Sequence, residues 1–545
     1  MNKFYLTTPL YYVNSKPHIG HSYTQIACDA LARYKRLQLG RENVFFLTGT
    51  DEHGQKIARA AQAAGKEPQA FTDEISQTFR DLWKTLNVDT DDFIRTTEDR
   101  HKKAVGRVWE ELKGKKVGGE DVLYRHTYDG WYCVSCETFH VEGPAEAGGP
   151  VACPDCKKPL ERMKEDTYFF RMSAYQERLM KDLREDKLRV LPETRKNEVL
   201  GFLEHNKLAD LSVSRPKSRL AWGIPIPFDP EHVTYVWFDA LINYVSAAGY
   251  GSDPEKLAKW WPADVHVIGK DIIRHHAVIW PILLYALDLE LPRTVFAHGW
   301  WVVGGEKMSK SLGNAVDPLG LAQKYGIDAY RYFLLREVPF GSDGTFSEEA
   351  LILRFNTDLA NDIGNLLHRS LTMCEKYFNG EVPASRVSLT GGMTPPGRYT
   401  LDLKVLAAAL PEKLDALMGR LAFSEALQEI WALISRANKF IEESAPWTLA
   451  KEGKTEDLAI VIGTLHEVLR IVAQAVWPFI PATAEGLWAQ LGIEEPITKS
   501  PLHARSWGYF KDGGHKVAKG APLFPRIDTG EEKKGDKKKA KEQKG

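Results

Sequence analysis

Two histidines near the start of the chain have the spacing to meet a phosphate. His18 and His21 flank Gly20, where a loop gives way to a run with helical periodicity. The amino end of a helix presents unpaired N–H groups and positive potential, so imidazoles placed there add donors to an anion site. Gly20 lets a base or ribose approach the backbone closely. The motif indicates a nucleotide site, and a purely capping or packing role for both histidines is the alternative.

A second basic motif lies far downstream. Lys307 and Lys310 stand three residues apart in GGEKMSKSLGN, with serines beside them and glycines on both sides. Two ammonium groups on such a loop can close over a triphosphate and neutralise the charge that develops during reaction. An isolated Lys-x-x-Lys is more often a solvated loop. Because it follows the histidine motif in the same chain, we expect both motifs to meet one triphosphate.

Four of the six cysteines form two close pairs that suit a metal ion. Cys133 and Cys136 are followed, after sixteen residues, by Cys153 and Cys156. Two Cys-x-x-Cys turns can supply four thiolates to a tetrahedral Zn²⁺. Since no histidine replaces a thiolate, the site should be closed and structural, with one zinc ion. Two disulfides or four unligated thiols are the alternative.

The composition fits a folded protein of several domains. At 545 residues, with 43% hydrophobic and 27% charged side chains, the chain has room for about three to five domains. The 72 basic and 73 acidic side chains nearly cancel, so any polyanion must meet a local basic surface. No secretory signal is visible, and the apolar stretch 458–480 follows helical spacing with charges inside it. A cytoplasmic location without membrane attachment is expected.

The amino-terminal region has the order strand, loop, helix, strand. Lys3–Thr8 has strand character, helical periodicity then runs up to Gly40, and Val44–Leu47 resembles a second buried strand. Such a unit predicts a parallel sheet with ligands bound beyond the carboxyl ends of its strands. Further strands are expected around residues 234–238 and 265–268.

Beyond Glu348 the pattern changes to long helical periodicities, which predict a separate helical domain. A Pro- and Gly-rich stretch, Val382–Gly397, is expected to be an irregular connection. The last fifteen residues contain seven lysines against four acids and should form a disordered basic tail. The first apolar stripe of the helical region consists of Leu351, Phe355, Leu359, Ile363 and Leu366.

The two basic motifs resemble the HIGH and KMSKS signatures of class I aminoacyl-tRNA synthetases, at residues 18–21 and 307–311, both unaltered. Other segments resemble the methionyl-tRNA synthetase family in particular, and the resemblance covers roughly residues 4–528. These segments are TTPLYYVNSKPHIGH at 7–21, FLTGTDEHGQKI at 46–57, YVWFDALINY at 235–244, VIGKDIIRHHAVIWP at 267–281 and ESAPW at 443–447.

The resemblance implies an α/β fold: a Rossmann-like parallel-sheet catalytic domain, split by a zinc-knuckle connective insertion and followed by an α-helical bundle that binds the anticodon. It also implies a methionine–tRNA ligase. Such an enzyme activates methionine with ATP and Mg²⁺ to methionyl-adenylate and pyrophosphate, then charges the 3′-terminal adenosine of initiator and elongator tRNA(Met). The implied boundaries are 1–115 and 233–300 for the catalytic halves, 116–232 for the insertion, 301–347 for the KMSKS loop and stem-contact region, 348–528 for the anticodon domain and 529–545 for the tail.

By resemblance, the catalytic residues are His18, His21, Lys307 and Lys310, of which Lys310 should be the more critical lysine. The ATP-binding set consists of Gly20, Gly269, Lys270, Asp271 and the same two lysines. Arg215 is assigned to the support of adenylate formation. No nucleophile–base pair is needed, because the attacking carboxylate requires only positioning and charge neutralisation.

Methionine offers a polarisable thioether with few hydrogen-bonding handles, so an aromatic and aliphatic pocket is expected. By resemblance this pocket is lined by Pro9, Leu10, Tyr12, Trp237, Ala240, Leu241, Tyr244 and His276, with Asp51 for the ammonium group. Anticodon bases are recognised by stacking and by hydrogen bonds to their edges. The residues assigned to reading CAU are Asn361, Asn365, Arg369, Pro446 and Trp447.

Several of these residues could instead have a purely structural role. Trp237 and Tyr244 could be core packing, His276 a satisfied buried histidine, and Arg215 part of a surface salt bridge. At the level of function, the rivals are another class I synthetase, such as the cysteine or isoleucine enzyme, and a noncatalytic tRNA-binding relative. A monomer is expected, because the short lysine tail leaves no room for the appended dimerising domain of some relatives.

Overall fold

The computed structural model of the chain describes residues 3–140, 151–154, 156–303, 306–307, 316–384, 395–499 and 507–528. These residues form two compact units. The first unit contains the described residues up to Trp300 together with 316–319 and 341–343, and the second contains the remainder.

The first unit opens with the predicted strand–helix–strand order. Both predicted strands are confirmed, and the second extends to Asp51. The elements are β1 (Phe4–Thr7), β2 (Tyr11–Tyr12), α1 (Ile19–Leu39), a 3₁₀ turn (Arg41–Asn43), β3 (Val44–Asp51), α2 (Gln55–Ala63), α3 (Pro68–Thr85), β4 (Asp92–Arg95) and α4 (Asp99–Leu112).

Strands dominate the segment that follows. They are β5 (Lys116–Val117), β6 (Glu120–Asp121), β7 (Leu123–Cys133), β8 (Thr138–His140), β9 (Glu161–Phe170), β10 (Arg189–Leu191), β11 (Leu211–Ser212), β12 (Ser214–Pro216), β13 (Pro225–Ile226) and β14 (Asp229–Thr234). The helices between them are a 3₁₀ turn (Met172–Tyr175), α5 (Gln176–Arg184) and α6 (Glu193–His205).

The rest of this unit returns to the parallel sheet. Its elements are α7 (Val236–Leu241), α8 (Asn243–Ala248), α9 (Pro254–Trp260), β15 (Val265–Gly269), a 3₁₀ turn (Lys270–Ile272), a π-helix (His275–Ile279), α10 (Trp280–Ala286) and β16 (Thr294–His298). The expectation of a strand at residues 234–238 is wrong. Only Thr234 belongs to a strand, and α7 begins at Val236. Burial of Phe238, Ala240 and Leu241 on this helix overrides the strand propensity of Tyr235 and Val236.

Seven parallel strands form the main sheet, in the order β10–β16–β15–β1–β3–β2, with β4 also paired to β3. The predicted parallel α/β sheet is confirmed. Strand β10 lies within the predicted insertion and yet forms one edge of this sheet. The long antiparallel pair β7–β9, with β8 and β11, makes a separate four-stranded sheet that carries the first cysteine pair.

The second unit is mainly helical. It contains a small sheet of β17 (Trp301–Val303), β18 (Glu306–Lys307) and β19 (Gly344–Thr345). Helix α11 (Pro318–Tyr325) precedes its main helices. These are α12 (Ile327–Arg336), α13 (Glu348–Arg354), a π-helix (Phe355–Gly364), α14 (Asn365–Phe378), α15 (Pro395–Gly419), α16 (Phe423–Ser444), α17 (Pro446–Lys451), α18 (Thr455–Val476), α19 (Pro481–Gln490) and a 3₁₀ turn (Ile497–Lys499).

The expected irregular connection at Val382–Gly397 is only partly observed. Helix α15 already begins at Pro395, and residues 385–394 lie outside the described part of the chain. The lysine-rich tail from 529 onward also lies outside it.

Helix α18 is the central helix of the second unit, where it contacts α14–α17 and α19. It is the one helix among the described residues that is long and apolar enough to cross a membrane, but 89% of its most apolar window is buried inside the protein. Its buried Glu467 pairs with Arg470 at 3.1 Å and accepts the amides of Gly508 and Phe510. The charges that interrupt the apolar run are therefore satisfied within a protein core.

Candidate active site

Two imidazoles are held at the first turn of α1. His18 is the N-cap, and its Nδ1 accepts the amide of Gly20 at 3.1 Å, while Nδ1 of His21 accepts the amide of His18 at 3.2 Å. The rings stack with 3.9 Å between centroids. Since Nδ1 is the acceptor in each ring, Nε2 carries the proton of the neutral imidazole. Capping therefore orients two N–H donors beside a helix end that favours anions.

The glycine at position 20 has a steric reason in this turn, since there is little room for a side chain. A Cβ at that position would lie 3.0 Å from Cε1 of His18, tighter than ordinary contact. Glycine therefore leaves room for the capping ring, which is a more direct reason than the close approach of a nucleotide.

The turn after β15 presents polar groups at the carboxyl end of the sheet. Lys270 Nζ lies 2.6 Å from Oδ2 of Asp343 and 4.2 Å from the centre of the Trp300 ring. The indole of Trp300 donates to Asp271 Oδ1 at 3.3 Å. A Cβ on Gly269 would lie 2.6 Å from that same carboxylate oxygen. The turn is thus ordered by its own contacts, and a phosphate would compete with Asp343 for Lys270.

His276 is a buried histidine with both ring nitrogens engaged. Its Nδ1–H donates to the carbonyl of Ile272 at 3.0 Å, and its Nε2 accepts the hydroxyl of Tyr244 at 2.7 Å. Burial lowers the pKa of His276 to about 4. Tyr5 in turn donates to the carbonyl of Tyr244 at 2.7 Å. The pair Tyr244–His276 is therefore a neutral, fixed wall.

Trp237 lies beside this wall and is only partly buried. Its ring stacks on His275 with 3.8 Å between centroids and 23° between planes. Its Nε1 donates to the carbonyl of Cys136 at 3.3 Å. Burial lowers the pKa of His275 to about 3, and its Nδ1 has no hydrogen-bond partner among the described residues. Helix α7, which carries Trp237, also carries Ala240 and Leu241, both buried.

Tyr12 and Asp51 stand opposite each other in the β2–β3 pair. Oδ1 of Asp51 is buried and has no hydrogen-bond partner among the described residues. Burial, followed by the nearby carboxylates Asp239 and Glu137, raises the pKa of Asp51 well above its usual range. A buried carboxylate oxygen without a hydrogen-bond partner is costly, so this position suits a cationic group such as an ammonium. Leu10 and Tyr12 pack against the same core, whereas Pro9 is partly exposed.

A buried carboxylate connects three elements in this part of the unit. Asp239 on α7 accepts from Nδ1 of His53 at 2.7 Å and from Nε2 of His101 at 2.6 Å. Burial raises the pKa of Asp239, but the two imidazoles outweigh it and hold the pKa below its usual value. The bridge fixes α7 to α4 and to the loop that follows β3.

The four predicted cysteine ligands come together. The sulfurs of Cys133, Cys136, Cys153 and Cys156 all lie within 4.8 Å of one another, and those of Cys133 and Cys156 are 3.5 Å apart. Tetrahedral Zn–S bonds of ~2.3 Å place sulfurs roughly 3.8 Å apart. All four are thiols, not disulfides. The predicted convergence of the four cysteines is confirmed, and their sulfurs fit a tetrahedral ion.

Comparisons with known proteins agree with this geometry. Residues 4–371 match the family described as tRNA synthetases class I (M), and residues 396–543 match the anticodon binding domain of methionyl tRNA ligase. The chain belongs to the methionyl-tRNA synthetase family. The methionine–tRNA ligase of Caldanaerobacter subterraneus is 48% identical over 99% of this chain and 81% of its own length, and that of Thermotoga maritima is 47% identical over 98% and 81%.

A solved structure of the same family aligns with the chain. It is the Mycobacterium tuberculosis methionyl-tRNA synthetase in complex with methionyl-adenylate, with a TM-score of 0.89 and 41% identity over 96% of this chain and 100% of that one. The predicted fold class, a class I catalytic domain followed by a helical anticodon domain, is confirmed.

The loop lysines of the family signature are only partly described. Lys307 is in β18, paired with Val302, and its side chain is outside the described part of the structure, as is all of Lys310. Their convergence with His18 and His21 on one triphosphate therefore stays a prediction.

Arg215 is buried, so the alternative of a surface salt bridge for this residue is wrong. Its guanidinium lies 3.6 Å from the equally buried carboxylate of Glu165 and over the rings of Tyr132 and Phe139, at 4.3 and 4.2 Å. Its support of adenylate formation stays a prediction.

The anticodon residues of the family pattern lie in the helical unit. Asn361 is in the π-helix, and Asn365 and Arg369 are one turn apart on α14, where Arg369 pairs with Glu442 at 2.6 Å. Pro446 and Trp447 open α17. Pro446 is buried and Trp447 is 46% exposed, so the indole is accessible for stacking.

Sequence reasoning missed several residues around the pocket: His275, Glu137, His53, His101 and Asp239. The doublet in IIRHHAV and the acid directly after Cys-x-x-Cys were visible signals for the first two. No local signal predicts the hydrogen bonds of Asp239 with His53 and His101, because these residues are 186 and 138 positions away from it in the sequence.

The lowered pKa of His276 predicts acid sensitivity. The folded chain keeps this imidazole neutral down to about pH 4, whereas the unfolded chain takes up a proton near pH 6.5. The unfolded state then binds more protons, so stability falls as pH falls through this interval. Between pH 7 and 5 the wild type should lose about 2 kcal/mol more unfolding free energy than His276→Gln, measured by urea denaturation. If the unfolding free energies of the two proteins change equally between pH 7 and 5, this prediction is contradicted.

Proposed function

We propose that this chain ligates methionine to both initiator and elongator tRNA(Met) and reads their CAU anticodon. Methionine–tRNA ligase activity itself accords with its family membership and with relatives matched over nearly the whole chain. The observation that carries the activation of methionine is the capped pair His18–His21, whose Nδ1 atoms accept amides of the first turn of α1 and leave Nε2 as the donor of each neutral ring.

For activation, the methionine carboxylate attacks the α-phosphorus of ATP, forming methionyl-adenylate and releasing pyrophosphate. His18 and His21 donate from Nε2 to phosphate oxygens, where negative charge develops. Lys307 and Lys310 hold the pyrophosphate, and bound Mg²⁺ would neutralise part of its charge. Gly20, Gly269, Lys270 and Asp271 bind ATP, and Arg215 supports adenylate formation.

For methionine, we assign the ammonium to Asp51, whose buried oxygen lacks a partner among the described residues. The thioether packs against Trp237 and the Tyr244–His276 wall, where soft aromatic contact suits sulfur. The other pocket residues are Pro9, Leu10, Tyr12, Ala240 and Leu241.

Pyrophosphate exchange tests this function. The wild type should exchange pyrophosphate into ATP with methionine and not with cysteine, leucine or isoleucine. His21→Asn keeps an acceptor at the Nδ1 position but removes the Nε2–H donor, so kcat should fall about 100-fold with an unchanged melting temperature. His21→Gln, which keeps a donor at the Nε2 position, should retain more of the rate. No exchange with any amino acid would favour the noncatalytic relative.

We propose Zn²⁺ as the ion of the cysteine cluster, bound as a closed structural site. Four thiolates and no open position suit zinc in a folding role. One equivalent per chain is expected by elemental analysis of the purified protein.

A pair of cysteine variants checks the zinc assignment. Cys133→Ser should lose the zinc, whereas Cys374→Ser, which alters a buried thiol of the other unit, should keep it. A wild-type chain that is folded and free of metal would contradict the proposal.

For anticodon reading, the exposed indole of Trp447 stacks on a base, and Asn361, Asn365, Arg369 and Pro446 complete the surface. Stacking contributes about 1–3 kcal/mol per base. Trp447→Ala should therefore lower kcat/KM for tRNA(Met) by about 10- to 100-fold and leave pyrophosphate exchange unchanged. The matched control is Leu353→Ala, which removes another exposed apolar side chain of the same unit. Equal aminoacylation by both variants would rule out this role.

We further propose that the enzyme is a cytoplasmic monomer. The proposed domains are 1–115 and 233–300 for catalysis, 116–232 for the connective insertion, 301–347 for the KMSKS loop and stem contact, 348–528 for the anticodon and 529–545 for a disordered tail.

A further inference from the structure

Glu137, directly after the second cysteine of the first pair, has a backbone conformation that glycine favours. Its φ is 53°, in the left-handed region. Lys157 holds the same place after Cys156, with φ 62°. A residue with a Cβ costs roughly 1 kcal/mol or more in this region. The two turns share this backbone, so the difference between them lies in what the side chains do.

Those side chains go to opposite environments. Lys157 is exposed to solvent, whereas Glu137 is only 3% exposed. A carboxylate is rarely buried unless it has partners. The conformation is a property of the cysteine turn, and the buried acid is a property of the first turn only.

The carboxylate of Glu137 contacts two elements beside the proposed methionine site, β2 and α2. Its Oε2 accepts the hydroxyl of Tyr12, and its Oε1 accepts the amide of Lys56 at 3.1 Å, in the first turn of α2. Gly54, the N-cap of α2, makes no side-chain cap, and a Cβ there would lie 2.6 Å from Oε1. Glu137 thus caps α2 from a distant part of the chain and fixes the Tyr12 ring.

The backbone of the same turn holds two further aromatic residues. The carbonyl of Cys136 accepts the indole of Trp237 at 3.3 Å, and the carbonyl of Glu137 accepts the hydroxyl of Tyr235. Lys56 Nζ donates to the carbonyl of Ser135 at 3.2 Å and lies 5.3 Å from the centre of the Tyr12 ring. Cys136 and Glu137 therefore contact the assigned pocket residues Trp237 and Tyr12, and Ser135 holds Lys56 beside the Tyr12 ring.

We propose that Glu137 is a positioning residue that fixes Tyr12 and the start of α2 to the metal-bound turn and so sets the affinity for methionine. This inference rests on the proposed methionine site. A metal ion held by the four cysteines would fix the turn. The turn presents one carboxylate and two carbonyl acceptors, and these orient the polar ends of Tyr12, Tyr235 and Trp237. Methionine affinity should respond to Glu137, whereas ATP affinity should not.

The test compares Glu137→Ala, Glu137→Gln and Lys157→Ala, all as full-length, zinc-loaded protein. In pyrophosphate exchange, Glu137→Ala should raise KM for methionine at least tenfold with KM for ATP unchanged within twofold. Glu137→Gln keeps an acceptor for Tyr12, but a neutral amide oxygen accepts more weakly than a carboxylate, so this variant should raise the same KM by a smaller factor, about threefold. Lys157→Ala, altered at the equivalent place of the second turn, should match the wild type.

Two readouts are independent of turnover. Methionine titration followed by tryptophan fluorescence should give a weaker Kd for Glu137→Ala, and zinc content should stay at one equivalent. In a Tyr12→Phe background the effect of Glu137→Gln should disappear, because the hydroxyl that connects the two residues is gone. Should Glu137→Ala lose zinc or fail to fold, Glu137→Gln and this double variant decide the outcome.

The proposal is overturned if methionine KM and Kd of the folded Glu137 variants match the wild type, if KM for ATP rises equally, or if Glu137→Gln has the same effect with and without the Tyr12 hydroxyl. A wild type without methionine-dependent exchange would instead refute the function. If the wild type is active and the Glu137 variants have its methionine affinity, only the positioning role of Glu137 is refuted.

Discussion

The parallel alignment of β1 with β3 and β15 is the constraint on which the active site depends. Thr7 in β1 pairs with Leu47 in β3 and with His266 in β15, so strands far apart in sequence end at one edge. That edge receives the first turn of α1, the Asp51 end of β3 and the turn after β15. A hydrogen bond of 2.7 Å between Thr24 and His298 also ties α1 to β16. Without this alignment the two histidines would be only a helix cap.

Buried polar contacts turn this edge into a fixed pocket. Asp239 is shared by two imidazoles, and Tyr244 is shared by His276 and the hydroxyl of Tyr5. Each of these groups is costly to bury, and the cost is offset only while every partner stays in place. Such networks are rigid for that reason, which suits a site that must hold reacting atoms in one geometry. Oδ1 of Asp51, which lacks a hydrogen-bond partner within the described ranges, is the exception and lies at the position assigned to a cationic ligand.

Features that depend on neighbouring residues in the sequence could be predicted from the sequence alone. The helix after His18, the strand at Val44 and the cysteine cluster follow from periodicity and spacing, and each is confirmed. The prediction of a strand at residues 234–238 was wrong, because tertiary burial overrides the strand propensity of Tyr235 and Val236. The partners of Glu137 and Asp239 could not be predicted, since their contacts join positions about a hundred or more residues apart. Long-range polar pairs leave no periodic trace.

Two π-helices coincide with the positions that the family pattern links to ligands. In His275–Ile279, adjacent histidines contact different partners, Trp237 and Tyr244. In Phe355–Gly364, the predicted apolar stripe repeats at intervals of four, wider than the 3.6-residue turn of an α-helix. A backbone with i→i+5 hydrogen bonds accommodates that wider interval, and such segments concentrate at functional sites. The stripe stays buried while Asn361 remains on a face that does not pack into the core, so the same irregularity that preserves the core also presents the side chain.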